Sequence, residues 1–401
     1  MYGPYDLVCG VTQCGIKIVD YFLGYRLPEY ICGRGYIKRL PQMLKDKNAG
    51  KVLLVTERAL IELGTAKKLT DPMDEAGMDY VLFTDVEQNP TSDNVEAGYR
   101  AFRDNSCKSV VALGGGAPMD CAKAVCAKAA HPRMSTRQLH GILRVHKRVP
   151  LLFAVPTTSG TGSETTLASV ITDSKTRRKA SINDPVLIPK YAVLDPELTL
   201  TMPPELTATT GMDALCHAVE AYTNHFYNTK VENIMSVRAV QLIYDNLYRA
   251  YEDGSDIEAR ENMQIAALYA GRAFTRGCVG YVHAIGHTLG GLYGVPHGKA
   301  MAILLPHVMR AFGPAVHKRL AELADACGIQ GRGDAEKAEN FIQWIEDMKR
   351  KMNIPEKLDM IKDEDVDQII KWAMKEASPL YPTPVLWRCA DFRKFISSVR
   401  V

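Results

Sequence analysis

Short apolar runs alternate with helical stretches through the first half of the chain. The runs, which are typical of buried strands, fall at residues 51–56, 79–84, 109–113 and 150–155, with shorter extended pieces at 169–173 and 191–194. Helical periodicity fills residues 59–77 and 92–105. Strands that are apolar on both faces and separated by helices predict a parallel sheet covered on both sides.

The pattern changes after residue 198. Pro203-Pro204-Glu205 supplies the proline and the carboxylate that favour the first turn of a helix. Beyond it, a 3.6-residue period predicts helices at 233–253, 256–276, 314–327 and 335–352. The predicted fold class is therefore an α/β N-terminal domain with a Rossmann-like parallel sheet, residues 1–202, followed by an all-α C-terminal domain, residues 203–401.

Composition narrows the class of protein. A chain of 401 residues suits two domains. With 49 basic and 46 acidic side chains the net charge is +3, so charge gives no reason to expect nucleic acid or a membrane as a partner. The sequence has neither an apolar run of membrane-spanning length nor a leader pattern at its start, and we expect a cytoplasmic location. The ten cysteines include no Cys-x2-Cys pair, and most of them are expected to be reduced.

Candidate metal ligands lie in the helical half. Asp213 and His217 are one helical turn apart, and His283 and His287 repeat that spacing, so each pair shares one helix face. His297 follows in a glycine-rich stretch. One carboxylate and three of these imidazoles would be enough to hold a divalent metal and leave a position open. Spacing alone leaves a structural role for buried histidines equally open.

A glycine-rich loop and a hydroxyl-rich loop each follow a predicted strand. The first, Gly114–Asp120, leads into a helix, where free backbone N–H groups can surround a phosphate. The second, Pro156–Glu164, carries five hydroxyls and two glycines. Both lie at the carboxyl ends of strands, where open α/β sheets bind ligands. The first loop alone is equally explained as a tight turn, and the alternative interpretation of the second is a polar loop that caps a helix.

Glu57 stands at the end of the first buried run. A carboxylate at such a strand end can accept hydrogen bonds from the adenine ribose and repel a 2′-phosphate, which predicts NAD rather than NADP. A solvated acid at the start of a helix is the alternative interpretation.

Taken together, these features resemble the iron-dependent (group III) alcohol dehydrogenases, from about residue 37 to beyond residue 380. The resemblance is carried by GGGAPMD at 114–120, PTTSGTGSE at 156–164, MPP at 202–204, GMDALCHAVE at 211–220, HAIGHTLGG at 283–291 and PHGKAMAILLPHVM at 296–309. It implies a dehydroquinate synthase-like architecture with the active site in a cleft between the two domains. It also implies a homodimer or a larger homo-oligomer.

The resemblance implies that Asp213, His217, His283 and His297 bind Fe(II), although Zn(II) would fit the same ligands. His287 would then lie near the nicotinamide and the substrate without binding the metal, and it is the expected catalytic residue.

Further positions match the family's cofactor and substrate sites. The matching cofactor positions are Gly115, Gly116, Thr157 and Thr158, with Asp120 and Lys179 matching less closely. Phe274 matches a residue that lines the substrate pocket. The chain departs from the family at Ala117, where serine is usual, and at Tyr381-Pro382, where Asn-Pro is frequent. The second departure leaves the substrate open.

The implied activity is metal-dependent hydride transfer between NAD(H) and a short-chain primary alcohol or diol, so the expected partner is a small alcohol or aldehyde. One alternative is a hydroxyacid dehydrogenase or transhydrogenase of the 4-hydroxybutyrate type, with Arg276 pairing with the substrate carboxylate. Another is a dehydroquinate synthase-like lyase, but its phosphorylated substrate needs more basic residues than Lys299 and Arg276 provide near the metal loops. A non-catalytic binding protein would have no use for the whole ligand set.

Overall fold

The computed structural model describes residues 4–23 and 25–400; residues 1–3, 24 and 401, which the expected domains include, lie outside them. The strands of the described residues are β1 Glu29–Cys32, β2 Val52–Val55, β3 Tyr80–Phe83, β4 Ser109–Gly114, β5 Gly141–Ile142, β6 Leu151–Pro156, β7 Ala168–Thr172, β8 Lys179–Asn183 and β9 Tyr191–Leu194. The first seven helices are α1 Pro4–Phe22, α2 Leu40–Asp46, α3 Arg58–Glu62, α4 Lys67–Glu75, α5 Ser92–Asp104, α6 Gly116–Ala130 and α7 Thr136–Leu139. The remaining helices are α8 Pro204–Asn224, α9 Lys230–Glu252, α10 Ile257–Gly277, α11 Tyr281–Tyr293, α12 His297–Phe312, α13 Pro314–Ala326, α14 Gly333–Lys351, α15 Val366–Ala377 and α16 Cys389–Val399.

Six strands form one parallel sheet in the order β1-β9-β6-β4-β2-β3, which confirms the predicted fold class. Every residue of the central strands β2 and β4 is buried, as expected for strands covered on both faces. In the register, Gly114 at the end of β4 pairs with Pro156 at the end of β6. The two predicted phosphate-binding loops therefore leave the sheet at adjacent positions.

A second, smaller sheet has the order β5-β8-β7, with β7 antiparallel to β8. Strand β8 has the sequence KASIN, whose polar residues hide it from a search for apolar runs. Strand β8 was therefore not predicted.

The predicted single helix at 59–77 is wrong. The chain forms two shorter helices, α3 and α4, and turns between them. Gly64, in that turn, has a φ of 73°, a left-handed conformation that ends a helix and that glycine adopts without steric cost. Apolar periodicity continues across the break, so the pattern alone did not show it.

The contacts within the chain define two compact units, which we call the helical unit and the sheet unit. The helical unit comprises Met1–Gly24, Pro204–Glu252 and Ile265–Val401, and the sheet unit comprises Tyr25–Pro203 and Asp253–Gln264. These units differ from a single boundary at residue 202, because α1 joins the helical unit, while Pro203 and residues 253–264 join the sheet unit. In the helical unit, α12 packs on both α8 and α11. No helix among the described residues is long and apolar enough to cross a membrane.

Candidate metal centre and cofactor loops

Three helices of the helical unit bring together the four predicted metal ligands. Helix α8 carries Asp213 and His217 on one face, α11 carries His283 in its first turn, and α12 begins at His297. One candidate ligand atom from each residue lies within 4.8 Å of the others. We call these residues the four-residue cluster. His297 is partly exposed, whereas the other three side chains are buried.

The cluster contains polar atoms that are buried without a partner. Oδ1 of Asp213, Nδ1 of His217 and Nε2 of His283 have no hydrogen-bond partner among the described residues. Oδ1 of Asp213 lies 3.6 Å from Nε2 of His283 and 3.4 Å from Nε2 of His297. Because buried polar atoms are nearly always satisfied, such a set fits a bound divalent cation. The imidazole and carboxylate donors suit ferrous iron or zinc.

The electrostatics of the cluster favour a ligand set with neutral imidazoles and an ionised carboxylate. Burial lowers the pKa of His217 to about 3 and that of His297 to about 4. Burial alone would raise the pKa of Asp213, but the imidazoles, His217 foremost, hold it well below its usual value. Two of the three rings are therefore deprotonated at neutral pH, as a metal ligand must be.

His283 differs from its neighbours because a second carboxylate contacts it. Nδ1 of His283 lies 2.5 Å from Oε2 of Glu220, and Oε1 of Glu220 accepts a hydrogen bond from the backbone N–H of Val282 at 2.8 Å. Burial lowers the pKa of His283, but the carboxylates of Glu220 and Asp213, Glu220 foremost, outweigh burial and raise the pKa to about 9. Glu220 was not among the predicted site residues, although it follows His217 by one helical turn and shares its helix face.

Two further residues border the cluster. The ring of Phe274 stacks on that of His217, with centroids 4.1 Å apart. The ring of His287 stacks on that of His297, with centroids 5.2 Å apart. Nδ1 of His287 lies 2.7 Å from Oε1 of Glu376, a partner 89 residues away for which the sequence carries no local signal.

The glycine-rich loop at 114–120 and the hydroxyl-rich loop at 156–164 contact each other in the sheet unit. The backbone N–H of Thr157 donates to the carbonyl of Gly114 at 3.1 Å. A Cβ on Gly116 would lie 2.7 Å from Cγ2 of Thr161, and one on Gly115 would lie 3.2 Å from Thr158. Gly116 is also the first residue of α6, whose N-terminal N–H groups can receive a phosphate. The close approach of the two loops therefore requires glycine at position 116.

Glu57, Asp120 and Lys179 also belong to the sheet unit. Glu57 follows β2, which neighbours β4 in the sheet, so it stands at the same strand ends as the loops; burial raises its pKa. The carboxylate of Asp120 accepts hydrogen bonds from the hydroxyl of Ser163 and the backbone N–H of Val170, both at 3.0 Å. Lys179 begins β8. Asp120 thus ties α6 to the second loop and to β7.

Two protein-family models match most of the chain. Residues 28–196 match the model for iron-containing alcohol dehydrogenase, and residues 207–394 match that for the C-terminal part of the Fe-containing alcohol dehydrogenase family. The chain therefore belongs to the iron-containing alcohol dehydrogenase family, and the expected oxidoreductase class is confirmed. Helix α1 precedes the matched residues.

Similar proteins of known name support this membership. The chain is 40% identical to 1,3-propanediol dehydrogenase of Klebsiella pneumoniae over 368 residues, which is 89% of this chain and 95% of that protein. It is 37% identical to NAD-dependent methanol dehydrogenase of Bacillus methanolicus, covering 87% of this chain and 92% of that one. Lactaldehyde reductase of Escherichia coli K12 is 34% identical, with 86% and 91% covered. The crystal structure of a 1,3-propanediol oxidoreductase superposes with a TM-score of 0.89 at 35% identity, over 94% of this chain and 99% of that one.

Proposed function

We propose that the protein is an iron(II)-dependent oxidoreductase that interconverts a short-chain primary alcohol or diol and its aldehyde with NAD(H). The observation that carries this proposal is the convergence of unpartnered buried atoms of Asp213, His217 and His283 with the ring of His297. The names of the relatives, which include an NAD-dependent methanol dehydrogenase and a 1,3-propanediol dehydrogenase, support the substrate class.

The four-residue cluster would hold the metal. When bound, the metal acts as a Lewis acid that lowers the pKa of an alcohol hydroxyl or polarises an aldehyde carbonyl. Phe274 covers one face of His217 and supplies an apolar wall beside the cluster. We infer that it limits the access of water and borders the substrate.

His287 is the proposed catalytic acid and base. An ionised carboxylate only accepts hydrogen bonds, so Nδ1 of His287 carries the proton that it shares with Glu376. The neutral ring then has a bare Nε2, which can take the hydroxyl proton during alcohol oxidation and pass it to solvent. The alcohol loses two electrons and one hydrogen as hydride, and NAD⁺ supplies the acceptor for it.

The loops of the sheet unit would bind the dinucleotide. Gly115, Gly116, Thr157 and Thr158 are proposed to contact it, with the pyrophosphate at the N-terminus of α6. Asp120 and Lys179 complete the proposed set, and Glu57 would select NAD over NADP.

The contacts of Arg276 do not favour the hydroxyacid alternative. Its Nε donates to the carbonyl of Tyr227 at 3.1 Å, and its Nη2 donates to the carbonyl of Asp20 at 3.2 Å. These contacts anchor Arg276 to the main chain instead of directing it toward a substrate carboxylate. A cytoplasmic location and a homodimer or larger homo-oligomer stay predictions.

The test is anaerobic oxidation of NADH by a panel of short aldehydes, with the protein loaded with Fe(II) and again after chelation. Lactaldehyde, 3-hydroxypropionaldehyde, propionaldehyde and succinic semialdehyde separate the diol, simple-alcohol and hydroxyacid classes. We expect metal-dependent turnover of the first three. His283→Ala should lose bound metal and turnover together, whereas His317→Ala, on α13 outside the cluster, should keep both. Turnover that survives in metal-free protein would overturn the proposal.

A further inference from the structure

Tyr381 and His287 share one carboxylate oxygen. The hydroxyl of Tyr381 lies 3.0 Å from Oε1 of Glu376, the atom that also contacts Nδ1 of His287 at 2.7 Å. Burial raises the pKa of Tyr381 well above its usual value, so the phenol keeps its proton and donates it. With two donors on one oxygen, the Glu376 carboxylate is fixed in place. The ring of His287 is held in the tautomer that protonates Nδ1.

The segment that carries Tyr381 has no regular secondary structure of its own, and side chains hold its carbonyls from outside. Nε2 of Gln13 donates to the carbonyls of Pro379 and Tyr381, at 3.2 and 3.0 Å. The hydroxyl of Tyr227 donates to the carbonyl of Leu380 at 2.9 Å. Three consecutive carbonyls are thus bound, two of them by a single amide of α1.

Helix α1 is itself fixed to the helical unit at both ends. Near its start, Asp6 accepts a hydrogen bond from Arg388 at 2.9 Å. Near its end, Nζ of Lys17 lies 4.4 Å from the ring centroid of Phe226. The side chain of Asp20 is almost fully buried there. The helix therefore offers Gln13 a rigid support.

We propose that α1 is a positioning element for the reaction, in which Gln13 holds the segment of Tyr381, Tyr381 fixes Glu376, and Glu376 orients His287. This proposal rests on the function proposed above. Gln13, Tyr381 and Glu376 are positioning residues, since they act on the reacting atoms only through His287. Helix α1 precedes the residues that match the family models, so the proposed device lies outside the matched part of the chain.

The effect of Gln13 variants on kcat tests whether the contacts from Gln13 through Tyr381 and Glu376 position His287. Gln13→Ala should lower kcat about tenfold, because a disoriented base forfeits part of the rate that general acid–base catalysis supplies. Bound metal and the KM for NADH should stay at wild-type values. Gln13→Glu keeps the size of the side chain but replaces the donor with an acceptor, so it should be as slow as Gln13→Ala. Thr12→Ala is the control. Among the described residues, the hydroxyl of Thr12 donates a hydrogen bond only to the carbonyl of Val8 in the same helix.

A double-variant cycle separates positioning from general loosening. If Gln13 acts through the tyrosine hydroxyl, Tyr381→Phe should lower kcat by a similar factor, and the double variant should be no slower than either single one. Multiplied losses in the double variant would overturn the proposal. Wild-type kcat in Gln13→Glu would overturn it as well.

The tautomer of His287 gives a readout that does not depend on turnover. Nitrogen-15 NMR of histidine-labelled protein in the metal-free state, with the resonances assigned through His287→Asn, reports which ring nitrogen carries the proton. The wild type should show Nδ1–H, and Gln13→Ala and Tyr381→Phe should show a mixture with Nε2–H. Unchanged His287 resonances in both variants would refute positioning. If the wild type turned over no aldehyde, the proposed function would fail while this measurement still decided the role of α1.

Discussion

Glu220 on α8 contacts His283 on α11, with Oε2 of the carboxylate 2.5 Å from Nδ1 of the ring. Helix α8 thus supplies Asp213 and His217 to the four-residue cluster, and it also supplies the residue that orients a third member on α11. Outer carboxylates of this kind fix a ligand's tautomer and strengthen it as a donor. They also hold a proton on the ring when no metal is bound.

Metal binding is therefore expected to release about one proton and to depend on pH. The pKa of His283 is about 9, so the ring stays protonated below that pH and its proton competes with the metal. Apparent affinity should rise about tenfold per pH unit up to pH 9 and level off above it. His217 and His297, with pKa values of about 3 and about 4, add nothing in this range. Titration calorimetry with zinc, in buffers of different ionisation heat, counts the protons.

Glu220→Gln is the matched variant for this prediction. Loss of the carboxylate should lower the pKa of His283 and flatten the pH dependence near neutrality. It should also lower the limiting affinity by about 10- to 100-fold, because the ring is no longer oriented. Glu205→Gln, an exposed site in the first turn of α8, should bind zinc like the wild type. An unchanged pH profile in Glu220→Gln would contradict the assignment.

Gly298→Ala should damage the metal centre more than Gly286→Ala. A Cβ on Gly298 would lie 2.3 Å from the carbonyl oxygen of Thr209, so α12 must move away from α8. We expect a loss of about 1–3 kcal/mol in the free energy of unfolding and at least tenfold weaker metal binding. A Cβ on Gly286 would clash with the terminal methyl of Met301, which can rotate away, and would otherwise make only ordinary contacts with Sδ of Met301 and Cβ of Ala300. Chemical denaturation and metal titration of both variants make the comparison.

Glu57→Gln should relax the discrimination against NADP. Removing the charge at the end of β2 removes repulsion of a 2′-phosphate, and the ratio of kcat/KM for NADH to that for NADPH should fall about tenfold or more. Glu62→Gln, an exposed acid at the end of the short helix α3 that follows Glu57, is the control. Steady-state kinetics with both cofactors measure the ratio; equal ratios in wild type and Glu57→Gln would remove Glu57 from the cofactor site.

Removal of the metal should destabilise the helical unit. A ligand at a hundredfold excess over its Kd stabilises the folded state by about 2.7 kcal/mol, which corresponds to several degrees in Tm. Chelation should thus lower the Tm, and hydrogen exchange should quicken in α8, α11 and α12. Asp213→Asn should abolish the metal-dependent shift, whereas the exposed Asp359→Asn should retain it. An Asp213→Asn protein that still gains Tm from metal would exclude the carboxylate as a ligand.

The sequence predicted the members of the cluster better than their partners. Asp213 and His217 share a helix face by spacing, and a family resemblance joined His283 and His297 to them. Glu220 was within reach of the same spacing argument. Glu376 was not, because its contact with His287 spans 89 residues and depends on how α11 packs against α15.

The same limit applies to the fold. Apolar runs located the buried strands of the parallel sheet, because strands covered on both faces must be apolar along their whole length. Strand β8 was missed because its residues are largely polar, and Gly64 divided a segment whose periodicity looked continuous. The amphipathic α1 went unpredicted, and its place against the segment of Tyr381 follows from tertiary contacts that no local pattern encodes.

The position of α1 against the segment of Tyr381 has a consequence for how related enzymes can come to differ in activity. The helix lies ahead of the residues that define the family, yet Gln13 contacts the main chain of the segment that carries Tyr381. If Gln13 orients His287 as proposed, a change in this helix would alter turnover while every proposed metal ligand stays the same. Substitutions in α1 would then offer a way to change kcat, in evolution or in protein engineering, without altering the metal-binding residues.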